Sequence, residues 1–498
     1  MKSFLHHLWS KRAVRGLAWS LVTLVTLAVL TVQIVNRSGS RALSKIRAEL
    51  NEEGETLDFA QLLPDSIPDS ENFCAVPALH GIADEEAGKS AREALAPFDL
   101  KTRTEGETLP ALGNSAQTGI PTDLAPWIES LVKNPDGGAN ALLEILSDQE
   151  PVLAEFADAL DRPEARWTPQ WRERELPAIL FAISLPQYNT SQNLARSLAL
   201  RTLAAAEVGD VQTAHESVRI LLRLAEANSQ DPCLIGLLVT SSHTSLAANG
   251  VWTLCRDRVG SPEDFGRLET SLGRLNLTEA TGQAWRTELA AGVSTIESLG
   301  NSSKWSQAEW EFLLGSGDIR NVGLIPRGWL FQNAATLAEL QWRHGLKPFR
   351  EGGLVAMQEA SGEMEKEILK LRDSPLKWPG SFLATMILPA TAATTTNVIH
   401  TEVLLTQARV ACALERFHLT HRQYPGNLSE LGNLSMADPW TGETMQYEKT
   451  PGGRYRLWSV GPDRVDDGGQ RILDPDHPEK TRFRSKDYLG DWVWDYPE

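Results

Sequence analysis

At 498 residues the chain is about three times the length of a typical single domain, with ample material for large cores. Its formal charge of −17 conceals an asymmetry: residues 1–47 carry eight Lys or Arg and no Asp or Glu, which leaves −25 on the remainder. So acidic a body repels phosphate and argues against nucleic acid as a partner, while four widely spaced cysteines without a C-x-x-C argue against zinc and thioredoxin-type chemistry.

In chain order, the basic tail (1–15) leads into "GLAWSLVTLVTLAVLTVQIV", residues 16–35, which holds no charge over 20 residues. At 1.5 Å per residue such a helix matches a hydrocarbon core of about 30 Å, so a transmembrane anchor is expected here. A cleaved signal peptide has a shorter apolar region, about 7–15 residues, and a small-residue cleavage site that "TVQIVNRSGS" lacks. Cys74 lies too far from the span to be a lipoprotein cysteine. Basic residues flank the span equally, four before and four after, so charge does not orient it. The short leading tail favours a cytoplasmic N-terminus, an inner-membrane span and a body in the periplasm.

Residues 36–124 read as a linker or docking segment. A charged helix over 41–53 precedes "LLPDSIPDSEN", where Pro64 and Pro68 break helices, and "GETLPALGNSAQTGIPTD" reads as loop. Residues 125–390 read as a helical domain. Leu198, Leu203, Ala206, Val211, Ala214, Val218 and Leu221 recur at helical steps around Gly209-Asp210, which predicts two helices joined at a glycine. No 34-residue recurrence accompanies them, so an ordinary helical pair is expected rather than a solenoid. Further helices are predicted near 140–160, 235–258, 262–275, 279–298, 330–344 and 352–372. The tryptophans dispersed from Trp127 to Trp378 read as core or rim. Cys233 with Cys255, the pair nearest in sequence, could bridge in an exported body; burial as thiols is the commoner fate.

Residues 391–498 read as a small α+β module. A helix over 396–421 carries the apolar stripe Leu404, Ala408, Ala411, Leu414 and Phe417, and ends before Tyr424-Pro425-Gly426. Asn427 can cap a short turn that points Leu428 and Leu431 inward. Asp438-Pro439 then turns the chain, and strands over 445–448 and 454–460 are joined through Pro451-Gly452-Gly453. The second strand is apolar on both faces and is expected to be covered on both. The fold class is thus mainly α: a transmembrane helix, a helical body, and a terminal module with an antiparallel hairpin.

The order "ALERFHLTHRQYP", "DPWTGETMQY" and "GGRYRLWSVGPDRVDDGG" resembles the C-terminal module of the major pseudopilin of type II secretion systems, over roughly 75 residues near 396–470. The resemblance implies a long helix packed on a small antiparallel sheet. It also implies calcium binding by the loop after the second strand, at Asp463, Asp466 and Asp467. Three carboxylates beside Gly468-Gly469 could supply half of calcium's six to eight oxygens, although Asp-Gly-Gly is also ordinary turn chemistry. Here the apolar span lies some 360 residues upstream, and "RGLAWSLV" lacks a prepilin-peptidase pattern, so entry into a pseudopilus by the usual route is not expected.

Enzymatic motifs are sparse. His418 and His421 have a chelating spacing but no third ligand nearby, and Gly315-Ser316-Gly317 is no nucleophile elbow. Two functions follow as expectations: a structural or interaction component of a secretion or surface assembly with protein partners in the envelope, or an envelope hydrolase with its cleft in the helical body. A deep pocket with a buried histidine or carboxylate pair would favour the second.

Overall fold

The structure, a computed structural model, describes residues 11–104, 108–133, 135–167, 185–301, 325–375, 377–432, 434–470 and 490–497. Gly315-Ser316-Gly317 lies outside the described residues.

Helix α1, Lys11–Glu52, joins in one rod what the sequence separates into an anchor and a charged helix. No proline interrupts it, and "NRSGSRALSKIRAEL" keeps enough helix formers to carry the turn through Gly39. Its first half is long and apolar enough to cross a membrane, and the apolar side chains from Val14 to Ile34 are exposed all round. Burial begins at Gly39 and continues at Leu43, Ile46 and Leu50, three- and four-residue steps that place one stripe against the body.

The body is a stack of long helices. Helices α2 (Pro186–Val208) and α3 (Val211–Ser229) meet at Gly209, whose φ of 77° is the left-handed conformation that glycine adopts without strain, and Asp210 caps α3 by accepting from the Thr213 N–H. Helices α4 (Leu234–Asp257), α5 (Pro262–Leu272) and α6 (Leu277–Asn301) follow. Ser261 and Asp264 form a reciprocal capping box at α5. Helix α7 (Arg327–Gln341) packs on α1 and α6, and α8 (Lys347–Arg372) bends at Gly352-Gly353. The helices predicted near 235–258, 262–275, 279–298, 330–344 and 352–372 are present with ends shifted by a few residues, while the one near 140–160 is two helices, Gly138–Leu146 and Glu150–Ala159, joined by a 3-10 turn. Within "GETLPALGNSAQTGIPTD", read as loop, Ser115–Thr118 forms a single helical turn, and short helices also stand before it at Lys89–Ala94 and Leu100–Arg103.

Helix α9, Phe382–His421, is 40 residues long and lies against α4, α5, α7 and α8. It runs unbroken through residue 390, and one hydrophobic core extends from Leu43 to Trp494, taking in both sides of that point. A smaller cluster gathers around Trp127, Leu142 and Leu200.

The terminal sheet is antiparallel in the order β1-β2-β3: Gln446–Lys449, Tyr455–Ser459 and Trp492–Trp494. The hairpin is as the sequence predicts; the third strand is additional. Tyr447 faces Leu457 across β1 and β2, and Leu457 faces Trp494 across β2 and β3. Strand β2 is the middle strand and is covered on both faces: Tyr455, Leu457 and Ser459 on one side and Trp458 and Val460 on the other are all buried. Asn427 caps the turn at Leu428–Leu431 in a capping box with Glu430. All four cysteines are free thiols, and Cys255 lies beside Cys412 where α4 meets α9 rather than pairing with Cys233.

Candidate functional site

Three places combine unusual geometry with chemistry. The first is the junction of α1 with the body. A Cβ on Gly39 would overlap the Gly328 carbonyl oxygen, and one on Gly328 would overlap the Val35 carbonyl oxygen, so the backbones of α1 and α7 touch. Such a crossing requires glycine on both helices. The Gly328 N–H donates to Asn36 Oδ1 at 2.8 Å, which satisfies one of the orphan donors at the start of α7. Further along, Arg47 pairs with Glu297 at 2.8 Å, Arg286 pairs with buried Glu55 at 2.8 Å, and Arg350 donates to the Glu53 carbonyl at 2.7 Å. The docked half of α1 is thus gripped along its length, while the apolar side chains from Val14 to Ile34 stay exposed.

The second place is the terminal module. Asp438 is buried and accepts three hydrogen bonds, from the Trp440 N–H at 3.0 Å, Ser459 Oγ at 2.8 Å and the Val460 N–H at 2.9 Å. This is the physical reason "DPW" and "SVGP" occur together: one carboxylate organises the turn and fastens it to β2. Burial still pushes Asp438 upward, against those bonds.

The predicted aspartates spread along the following loop. Asp463 Oδ1 accepts from the Val465 N–H at 3.1 Å, and Asp466 Oδ1 accepts from Trp458 Nε1 and from the Gly468 N–H, both at 2.9 Å. Asp467 is exposed, and its backbone N–H hydrogen-bonds to Asp491. Asp491, fully buried and pushed upward by burial, accepts from the Gly469 N–H at 2.7 Å. Sequence reasoning missed Asp491, which lies 22 residues past Gly469 and carries no motif. Among the described residues no three His, Cys, Asp or Glu side chains gather as a metal site. His418 and His421 diverge: one ring stacks on Tyr424 and the other on Phe417.

Beneath the sheet, Glu415 of α9 is fully buried. Its Oε1 accepts from the Tyr424 hydroxyl at 2.7 Å, Arg454 stands 4.0 Å away, and Oε2 has no partner among the described residues. Burial outweighs the two favourable neighbours and pushes this carboxyl up to about 7. Arg454 is held by the carbonyls of Cys255 and Arg256 at 3.1 and 2.5 Å, so it ties β2 to the end of α4.

The third place is a buried polar cluster between α2, α3 and α4. Asn228 accepts from Trp167 Nε1 at 2.8 Å and donates to Ser191 Oγ at 3.2 Å and to His243 Nδ1 at 2.9 Å. His243 therefore accepts at Nδ1 and carries its proton on Nε2. Burial pushes the ring down to about 3, so it is neutral at ordinary pH and a weak base. Cys233, 3.1 Å from the Tyr188 hydroxyl, is pushed up to about 12 by burial and stays a thiol. Ser191 meets an amide rather than an imidazole. The cluster holds three helices in register and supplies no activated nucleophile.

Among the described residues, two hollows open on the body's surface. One, of about 550 Å³, is floored by Leu203 and Val259, and its Arg256 is paired with Asp257 at 2.6 Å. The other, of about 390 Å³, presents Arg219, Arg267, Arg274 and Arg416, each already engaged by Asp161, Glu263, backbone carbonyls or Glu269 respectively. Neither contains a buried histidine or carboxylate pair. Comparison with family models, curated proteins and solved structures finds no match to this chain.

Proposed function

We propose that the protein is an inner-membrane-anchored envelope component that acts as a rigid, non-catalytic scaffold. In this reading the N-terminus is cytoplasmic, the span is α1, and the periplasmic body holds the pseudopilin-like module at a fixed height for protein partners of a secretion or surface assembly. The observation that carries the reading is the continuity of α1: one helix passes from a lipid-ready half into a half locked to the body by the Gly39–Gly328 crossing. A flexible tether would let the body rotate and tilt freely. Here about 17 residues, or roughly 25 Å of helix, transmit the anchor's orientation directly to the core. Calcium at Asp463, Asp466 and Asp467 belongs to the same proposal, and would require those carboxylates to share their backbone N–H partners with the ion.

The test is site-specific crosslinking in native membranes, with a photoreactive residue at Lys449 on the exposed edge of the module. The same envelope protein should be captured from that position by the wild type, and its capture should fall when Gly39→Leu loosens the anchor. Recovery of this chain alone, together with turnover of a glycan or peptide panel by the purified protein, would replace the scaffold reading with the hydrolase.

A further inference from the structure

We infer that the body makes a second contact with the bilayer beside the anchor, through an aromatic patch at the turn from α8 into α9 that takes up anionic lipid headgroups. The inference rests on the reading of α1 as a membrane span.

Position comes from the hydrogen bonds. The uncharged run of α1 ends at Val35, and Ser38, three residues on, is about 4.5 Å farther along the helix axis. Gln332 of α7 reaches Ser38 at 3.4 Å, and the turn at Trp378–Gly380 lies directly on Gln332: a Cβ on Gly380 would crowd its side chain. Asn333 fixes that turn by donating to the Pro379 carbonyl at 3.0 Å, while its Oδ1 accepts from the Leu383 N–H at 2.8 Å at the start of α9. The interfacial layer on each side of a bilayer is about 5–7 Å thick, so the turn sits at headgroup level when the span fills the hydrocarbon core.

Chemistry fits that position. Trp378 is 50% exposed although it is among the largest apolar side chains, and its ring packs on Phe382 at 5.4 Å. Met386, one turn farther along the same stripe, is 53% exposed. Tryptophan is favoured at the membrane interface, where its apolar body and N–H tip meet a matching gradient. The elements that Gln332 links carry exposed cations: Arg37 and Arg41 on α1 to either side of Ser38, Arg327 at the start of α7, and Lys377 next to Trp378, with Asp373 the acid at the end of α8. Against the charge of −25 beyond residue 47, these cations form a basic run next to the end of the uncharged stretch of α1. Each such cation near an anionic leaflet adds attraction that falls off within a Debye length.

The test uses the full chain in vesicles of phosphatidylcholine with or without phosphatidylglycerol, carrying lipids quenched at shallow or deep positions. An environment-sensitive probe is placed in turn at Lys377→Cys, at Val25→Cys within the span, and at Gly452→Cys on the distant hairpin; the native thiols other than Cys233 are buried. Shallow quenchers should quench the Lys377→Cys probe about threefold more than the Gly452→Cys probe, more strongly with phosphatidylglycerol, and Trp378→Ser should remove most of the difference. Quenching at Lys377→Cys no greater than at Gly452→Cys, with Val25→Cys quenched by deep lipids, overturns the second contact and leaves the anchor standing. Loss of quenching at Val25→Cys as well overturns both.

Discussion

The two ends of the chain dock on the same helical body by opposite means. At the N-terminal end, α1 meets α7 through backbone at Gly39 and Gly328, and ion pairs such as Arg47–Glu297 lie at the partly exposed margin. At the C-terminal end, the sheet meets α4 and α9 through large side chains with polar tips. Trp252 Nε1 donates to the Asp495 carbonyl at 2.8 Å, Gln407 donates to the Trp492 carbonyl at 2.7 Å, and Tyr455 and Tyr496 share a hydrogen bond of 2.7 Å. The first joint depends on the absence of atoms where the two backbones meet. The second buries ionisable groups and is sensitive to pH.

The largest effect is expected where atoms are added to the first joint. Gly39→Leu places a side chain into the α7 backbone, which cannot yield without separating the helices. A loss of about 3 kcal/mol or more is expected, seen as a lower melting temperature and new protease cleavage in residues 40–52. Melting and cleavage equal to wild type would mean that the two helices are not in contact. Next comes the second joint. Glu415 has a carboxyl raised from 4.5 to about 7, so the folded state holds its proton more tightly than the unfolded state. That contribution is complete below pH 4.5 and is lost as pH rises through 7, a difference of about 3 kcal/mol. Glu415→Gln, which keeps the neutral shape, should therefore match wild type near pH 4.5 and melt higher than wild type at pH 8. His243 slopes the other way, since its ring, lowered from 6.5 to about 3, destabilises the fold as pH falls below 6.5. Comparing the two proteins at each pH cancels that term.

The same contrast separates what the sequence discloses from what it does not. Periodicity locates the long helices because apolar side chains repeat in the text itself, as do Leu404, Ala408, Ala411 and Leu414 on α9, all buried. Gly209 and Asn427 are legible because turn and cap chemistry is local. The docking of α1 was not, because a glycine in "NRSGS" looks the same whether it faces solvent or another backbone almost 290 residues away. Strand β3 was missed for a related reason: three residues, "WVW", carry too little pattern, and their strand character comes from pairing with β2. The candidate site is split likewise. Asp463, Asp466 and Asp467 are visible as a local acidic run, whereas Asp491 and Asp438 gain their roles through contacts 21 or 22 residues away.

The smallest effect is expected at the aspartate loop. Asp466→Ala removes the acceptor for the Trp458 indole and the Gly468 N–H on an exposed loop, so a loss of about 1 kcal/mol is expected in calcium-free buffer. Calcium present at a hundred times its dissociation constant would add about 2.7 kcal/mol to the wild type, more than the loop's own hydrogen bonds contribute. The two roles therefore separate in one melting series. A rise with calcium in the wild type that Asp466→Ala abolishes would give the loop a metal and make the second joint responsive to calcium. No rise in the wild type would end the calcium proposal and leave Asp466 as the residue that pins the loop against the outer face of β2.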